Sequence, residues 1–361
     1  MKRALCALAS SIALAACGGA PAPVGEPAPV PTAPPPPLPS ALAPASSAAV
    51  EPALATASAA PSAAPSAAPV ADPGVFPPAS FSPLVERTKK PGDGVWAAVP
   101  EGGGGATPAM LRTLAHPDAI KGHVFAAIVA MDLRRIDLRL VAGTIEPASK
   151  SVPDDHRSGL VAPADLDDLI AVFNGGFMAK HGGWGMMLNG DMYVPPRDEG
   201  CTIALLKDGA VKIGTWPALK DAVPSMVAFR QTPPCLIEQG ELHPVLLSEP
   251  RSKKWGSSET GQLDIRRSAL GLDASGRTLF YGMGEWITAR QLAESMKAAG
   301  AVNVAEIDIN WSYTRFLFFG HPSPGEPLQV TSTLVPKMKF VAQGYVKKPA
   351  ERDFFYVKKR R

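Results

Sequence analysis

This chain of 361 residues has little cysteine, little net charge and no long apolar run, and each shortage excludes something. Its four cysteines form no C-x-x-C pair and no H-E-x-x-H occurs. The six histidines do not fall at metal-ligand spacings, so a zinc centre is not expected. No cofactor is predicted, and a need for a divalent ion is not readable. A formal net charge of +3 is too small to argue for nucleic acid. The basic end, Val357-Lys358-Lys359-Arg360-Arg361, reads as a solvated tail. The apolar run at 4–13 is too short for a bilayer-spanning helix, which takes about 20 residues.

That run, behind Lys2 and Arg3, reads instead as a signal peptide over 1–16. Leu14-Ala15-Ala16-Cys17 resembles a bacterial lipoprotein box, in which Cys17 takes the lipid. The alternative is an ordinary secretory signal cleaved nearby. Gly18 follows Cys17, and without an aspartate there the outer membrane is the expected address, with the domain periplasmic or surface-facing. Residues 17–83 are Ala, Pro and Ser with almost no charge. Such a segment cannot bury enough apolar surface to offset its ordering entropy, so an unpacked tether is expected. The remainder, 84–361, is long enough for one domain with a sizeable core. It keeps Cys201 and Cys235, which can pair in an oxidising compartment, although spacing does not establish that they do.

Strand signals dominate this domain. Residues 124–131 are continuously apolar, 136–140 alternate, and 202–206 and 210–214 flank the turn Lys207-Asp208-Gly209. Residues 225–229 and 316–319 add candidate strands, and 164–170 read as a short helix after Pro163. The expected fold class is α+β: a mixed, largely antiparallel sheet built from hairpins, with few flanking helices.

The richest stretch is 265–312. A hairpin is expected at 268–273 and 277–282 around Asp273-Ala274-Ser275-Gly276. Thr288 and Gln291 stand at capping-box spacing before a helix at 289–299, and Gly300 is placed to stop it. Residues 302–309 then read as a strand. With period two, Glu306, Asp308 and Asn310 share one face, next to Trp311. That face is a polar site floor or simply an exposed strand face. A second constellation, 171–193, runs through Asn174-Gly175-Gly176 and the glycine-flanked Trp184 to Asn189-Gly190. Amides and a tryptophan among glycines suit a sugar; loops between strands are built the same way.

In order and spacing these pieces resemble the phosphodiester glycosidase family, over about 124–348. Phe173-Asn174-Gly175-Gly176-Phe177 is similar to the family's Asn-Gly-Gly strand end. Gly185-Met186-Met187-Leu188-Asn189-Gly190 resembles its glycine-led hairpin, and Gln231-Thr232-Pro233-Pro234-Cys235-Leu236-Ile237 its Gly-Gly-Pro segment. Arg267-Ser268-Ala269-Leu270-Gly271 is similar to its Arg-Thr-Ala strand. The departure is at the next strand end. Where the family has Asp-Gly-Gly-Gly-Ser, this chain has Asp308-Ile309-Asn310-Trp311-Ser312.

The resemblance implies hydrolysis of a sugar-1-phosphodiester to free sugar and phosphomonoester, on a glycan or sugar-phosphate substrate. Arg267 is then the phosphate ligand, Asp308 the nucleophile or general base, and Glu306 a second carboxylate. Asn174, Gly175, Gly176, Trp184, Asn310, Trp311 and Ser312 form the expected substrate-binding set. The alternative for Arg267 and Asp308 is a buried ion pair joining neighbouring strands. Two other functions stay open: a non-catalytic glycan-binding lipoprotein on the same scaffold, its pocket filled where glycines are lost, and a glycoside hydrolase using Glu306 and Asp308.

Overall fold

The computed structural model describes residues 76–100 and 108–361. The signal peptide, Cys17 and the tether up to residue 75 lie outside the described residues. Within the stretch expected to be unpacked, Phe76 is buried and Phe81 packs against Trp96, so packing begins before residue 84. These two aromatics interrupt the Ala-Pro-Ser composition.

The apolar and alternating runs become strands. The first nine are β1 (Ala97–Ala98), β2 (Met110–Ala115), β3 (Phe125–Asp132), β4 (Ile136–Val141), β5 (Leu169–Asn174), β6 (Met186–Leu188), β7 (Asp191–Val194), β8 (Cys201–Leu206) and β9 (Val211–Thr215). The rest are β10 (Met226–Thr232), β11 (Ile237–Glu238), β12 (Glu241–Leu242), β13 (Ile265–Leu272), β14 (Thr278–Ile287), β15 (Asn303–Ile309), β16 (Phe316–Gly320), β17 (Gln329–Thr333) and β18 (Phe354–Lys359). They form an eight-stranded sheet, β1-β2-β3-β14-β13-β15-β11-β12, and two five-stranded sheets, β7-β6-β10-β8-β9 and β17-β16-β5-β18-β4.

Every ladder between these strands is antiparallel. Parallel pairing among the described residues is limited to the isolated bridges Asp93↔Leu114 and Gly344↔Lys348. Helices are few. The short helix expected at 164–170 is instead a 3₁₀ segment, Pro163–Asp168, because Leu169 already enters β5. All six residues of β5 are buried, as a strand covered on both faces requires.

One apolar core joins the three sheets, and its centre is aromatic. Phe173 of β5 stacks on Phe316 at 5.3 Å between centroids and lies 5.0 Å from Tyr281 of the large sheet. A second cluster lies between the large sheet and the helix α1 (Ala289–Ala298), where Leu292 and Met296 meet Phe280. The Thr288–Gln291 capping box is present, an N-terminal device worth about 1 kcal/mol. Gly300 follows with φ +104°, the left-handed conformation that ends the helix. Cys201 and Cys235 form a disulfide that ties the start of β8 to the segment before β11.

Two irregularities in the large sheet matter for the site. Both flank β13 at the level of Arg267. Arg267 pairs with Ile309 and Ala269 with Glu306, so β15 carries one extra residue at 307–308. Ile265 pairs with Ile287 and Arg267 with Gly284, so β14 carries one extra residue at 285–286. Each is a β-bulge, which re-aims side chains and breaks the two-residue period.

Candidate active site

The β15 bulge decides which way the acids face. Residues opposite one another on paired strands point to the same side, so Glu306 and Ile309 share a face with Arg267. Asp308 takes the other face, toward the end of β5. Its backbone N–H donates to the Gly175 carbonyl at 3.0 Å, joining two sheets directly. Its carbonyl accepts from Ser268 Oγ at 2.7 Å and Thr314 Oγ1 at 3.2 Å. The carboxylate accepts from its neighbour's backbone, Ile309 N–H, at 2.9 Å, and meets Arg352 Nη2 at 2.5 Å. Asp308 is only 6% exposed, yet it lines open space on two sides.

Arg267 and Glu306 are elsewhere. Arg267 is 1% exposed and Glu306 0%, and they pair at 2.8 Å. The remaining guanidinium donors go to the carbonyls of Trp255, Gly256, Leu263 and Ile287. Neither residue lines the clefts around Asp308. A buried ion pair between neighbouring strands does exist, but its acid is Glu306. Sharing a face by period two would have set Glu306 beside Asp308; the extra residue in β15 separates them.

Asn174, Gly175 and Gly176 gather at the site, each for a packing reason. Asn174 Nδ2 donates to Ser268 Oγ at 2.9 Å, while its Oδ1 accepts from Tyr281 and from Arg315 N–H, both at 3.1 Å. Its amide thus locks β5 to the large sheet. A Cβ on Gly175 would stand 2.1 Å from Asp353 Oδ2, and one on Gly176 would stand 2.6 Å from Arg230 Cζ. Those two partners form a wholly buried ion pair, Arg230 Nε to Asp353 Oδ2 at 2.9 Å, and the Gly176 N–H donates to the same oxygen at 2.8 Å. The glycines admit this pair beneath the site floor.

Trp184, Asn310, Trp311 and Ser312 line one cleft with Asp308 and Arg352, about 930 Å³ in volume. Trp184 is half-buried against Phe177, Ile265 and Ile309, with the Arg197 guanidinium 5.0 Å from its ring centre. Asn310 has φ +77°, a conformation that asparagine tolerates better than most residues. Trp311 does not seal Asp308. It stands at the rim over Arg266, 4.6 Å from guanidinium to ring, and Ser312 is exposed beside it.

The cleft is cationic. Lys180, Lys253, Lys254 and Arg352 line it against Asp308 and Glu259, four positive groups to two negative. On the other side of Asp308 lies a smaller pocket of about 260 Å³, which shares only Asp308, Tyr313 and Arg352 with the first. A further cleft, about 870 Å³, lies apart from these residues, and its charges answer one another: Arg360 binds Asp137 at 2.8 Å and Tyr356 binds Asp165 at 2.6 Å.

Burial raises the Asp308 carboxyl to about 7, against the pull of Arg352. It can therefore exchange a proton near neutral pH, as a general base or acid must. Burial also raises Glu306 to about 7, opposed by Arg267. Among the described residues no group of three or more His, Cys, Asp or Glu side chains is placed to hold a metal ion.

Arg352, Arg230 and Asp353 complete the site, and sequence reasoning missed all three. Arg230 carried a signal: a lone arginine inside the otherwise uncharged strand β10. Arg352 and Asp353 carried none, since they sit in a short polar run before β18 without a motif.

Residues 167–308 match the phosphodiester glycosidase family model, a match that ends at Asp308, where the lost glycines begin. Among solved structures, the chain is similar to the zebrafish N-acetylglucosamine-1-phosphodiester alpha-N-acetylglucosaminidase catalytic domain auto-inhibited by its pro-peptide. Identity there is 16%, covering 74% of this chain and 88% of that one, with a TM-score of 0.44. A hypothetical protein from Synechocystis is similar at 12% identity, covering 70% and 62% respectively, with a TM-score of 0.38. No curated protein matches. The family this sequence matches, over the stretch that holds Asn174, Arg267 and Asp308, is the phosphodiester glycosidase family, a family of hydrolases.

Proposed function

We propose that this chain hydrolyses sugar-1-phosphodiesters, with Asp308 as general base and Arg352 as the phosphate ligand. One observation carries the reading: a buried carboxyl raised to about 7 meets a guanidinium on the wall of a cleft with excess positive charge. An anionic diester suits those cations, and Arg352 offers the planar fork that binds phosphate oxygens in pairs. On binding, the guanidinium turns from Asp308 to the phosphate. The freed carboxylate then takes a proton from water attacking the anomeric carbon. The sugar–oxygen bond breaks, its electron pair leaves with the phosphomonoester, and the sugar gains the hydroxyl. A phosphomonoester leaves readily without an acid, which fits a site where Asp308 is the one buried carboxylate lining the cleft.

Arg267 is reassigned from substrate to scaffold, since its donors are held by Glu306 and four backbone carbonyls. Asn174 acts by holding the strand end. The signal peptide and Cys17 motif support delivery to the cell envelope as a lipid-anchored protein, with the substrate a glycan phosphodiester there.

The test is sugar release from an N-acetylglucosamine-1-phosphodiester by the full chain. Wild type should release free sugar, and Asp308→Asn and Arg352→Ala should each lower kcat/KM by on the order of a hundredfold or more. Release undiminished in Asp308→Asn would sink the assignment.

A further inference from the structure

Trp286 lies outside both clefts at Asp308, and no motif pointed to it. It occupies the β14 bulge with φ +58°, a backbone state that disfavours every residue with a large side chain. It is 47% exposed, and its ring lies 4.9 Å from that of Trp311, itself 39% exposed. Neither burial nor backbone preference accounts for a tryptophan there. The bulge turns an indole outward onto the cleft rim.

The support beneath this pair is also unusual. Arg266 is 6% exposed, lies under Trp311 and binds Glu285, the neighbour of Trp286. Its Nε is buried without a partner. A guanidinium held under one indole fixes that ring's tilt through cation–π attraction. Asn310 and Ser312 flank Trp311 in the chain, and with Ser257 and Thr260 they line the same cleft as that ring. Flat aromatic faces edged by hydroxyls and an amide match a sugar ring, which has an apolar C–H face and polar edges. Two indoles among such groups are small and wet for a protein interface.

We propose that Trp286 and Trp311 form an aromatic shelf that stacks a sugar unit of a glycan chain, extending the cleft beyond the group bound at Asp308. This rests on the proposed substrate class for the cleft's occupant. It predicts a preference for long glycans that a short diester does not reveal.

The test measures binding without turnover, so it stands apart from the hydrolysis assay. The full chain, carrying Cys17→Ser to remove any lipid, is titrated by tryptophan fluorescence with a monosaccharide and the matching pentasaccharide. Probes are the glucose, mannose and N-acetylglucosamine series. At least one pentasaccharide should bind about tenfold tighter than its monosaccharide, a gain of about 1.4 kcal/mol. Trp286→Ala should erase that gain. Trp286→Gly should erase it too, while melting no lower than wild type, because glycine suits φ +58°. No length preference in any series, or a preference that survives both variants, overturns the proposal. Unchanged glycan binding alongside lost binding to phosphatidylglycerol vesicles would make the shelf a lipid seat and overturn it equally.

Discussion

Glu306 and Asp308, two residues apart on β15, lie on opposite faces of the large sheet because the strand bulges between Glu306 and Ile309. The consequence is a division of labour. Glu306 neutralises Arg267 in the packed layer below α1, and Asp308 faces Arg352 at open space. A hydrolase using Glu306 and Asp308 across one bond would have to flank a common cleft with both, and of these two only Asp308 lines it.

The pH dependence should expose Asp308. With its carboxyl raised to about 7, it is protonated below that pH and competent as a base above it. A plot of kcat/KM should therefore rise through about 7. Arg352 stabilises the carboxylate, so Arg352→Gln should shift this limb to higher pH as well as lower the rate. A limb at the ordinary aspartate value of about 4 would contradict the assignment.

Arg267 and Glu306 should report on stability instead. Arg267→Met leaves a buried carboxylate unpaired and four carbonyls without their donor, so a loss of about 3–5 kcal/mol is expected in denaturant unfolding. Glu306→Gln keeps an acceptor for Arg267 and should retain sugar release. The sign of its pH effect follows from the raised carboxyl. Glu306 contributes fully below the unfolded value of about 4.3, and that contribution is lost as pH rises through about 7. The Gln variant should lose less stability than wild type over that window. Abolished turnover in a well-folded Glu306→Gln would restore Glu306 to the catalytic set.

Much of this fold was legible because its strands obey local rules. The apolar run at 124–131, the Lys207-Asp208-Gly209 hairpin and the Thr288 capping box each follow from a few neighbouring residues. The site was legible only in part. Asp308 and the Asn174-Gly175-Gly176 turn stand where sequence reasoning gathered them, yet the bulge that parts Asp308 from Glu306 leaves no mark in a period-two pattern. Arg267 stands out as a charge in an apolar strand, but such a charge marks a buried ion pair as readily as a ligand. Arg352 reaches Asp308 only because β18 pairs with β5, a long-range contact that no local pattern encodes.

Gly175→Ala should damage the site without touching substrate. The added methyl would meet Asp353 Oδ2 at 2.1 Å, and the backbone on either side is pinned by Asp353 and Asp308. Overpacking of this kind costs about 1–3 kcal/mol. Because the Gly175 carbonyl holds the Asp308 N–H, sugar release should fall as well. An alanine variant with the melting temperature and kcat of wild type would show that this turn has slack that its geometry denies.

Isotope labelling decides which bond is cut. In the proposed reaction Arg352 and the lysines of the cleft hold the phosphate, and Asp308 stands next to Arg352 with its carboxyl raised to about 7. Water delivered from Asp308 to the anomeric carbon leaves the bridging oxygen on phosphate. In water enriched with heavy oxygen, the phosphomonoester should therefore carry no label. The phosphomonoester is the product to weigh, because a free sugar slowly exchanges its anomeric oxygen with solvent. Label found in the phosphate would mean attack at phosphorus. Arg352 would then be polarising the reacting centre itself, and Asp308 would be directing water to phosphorus.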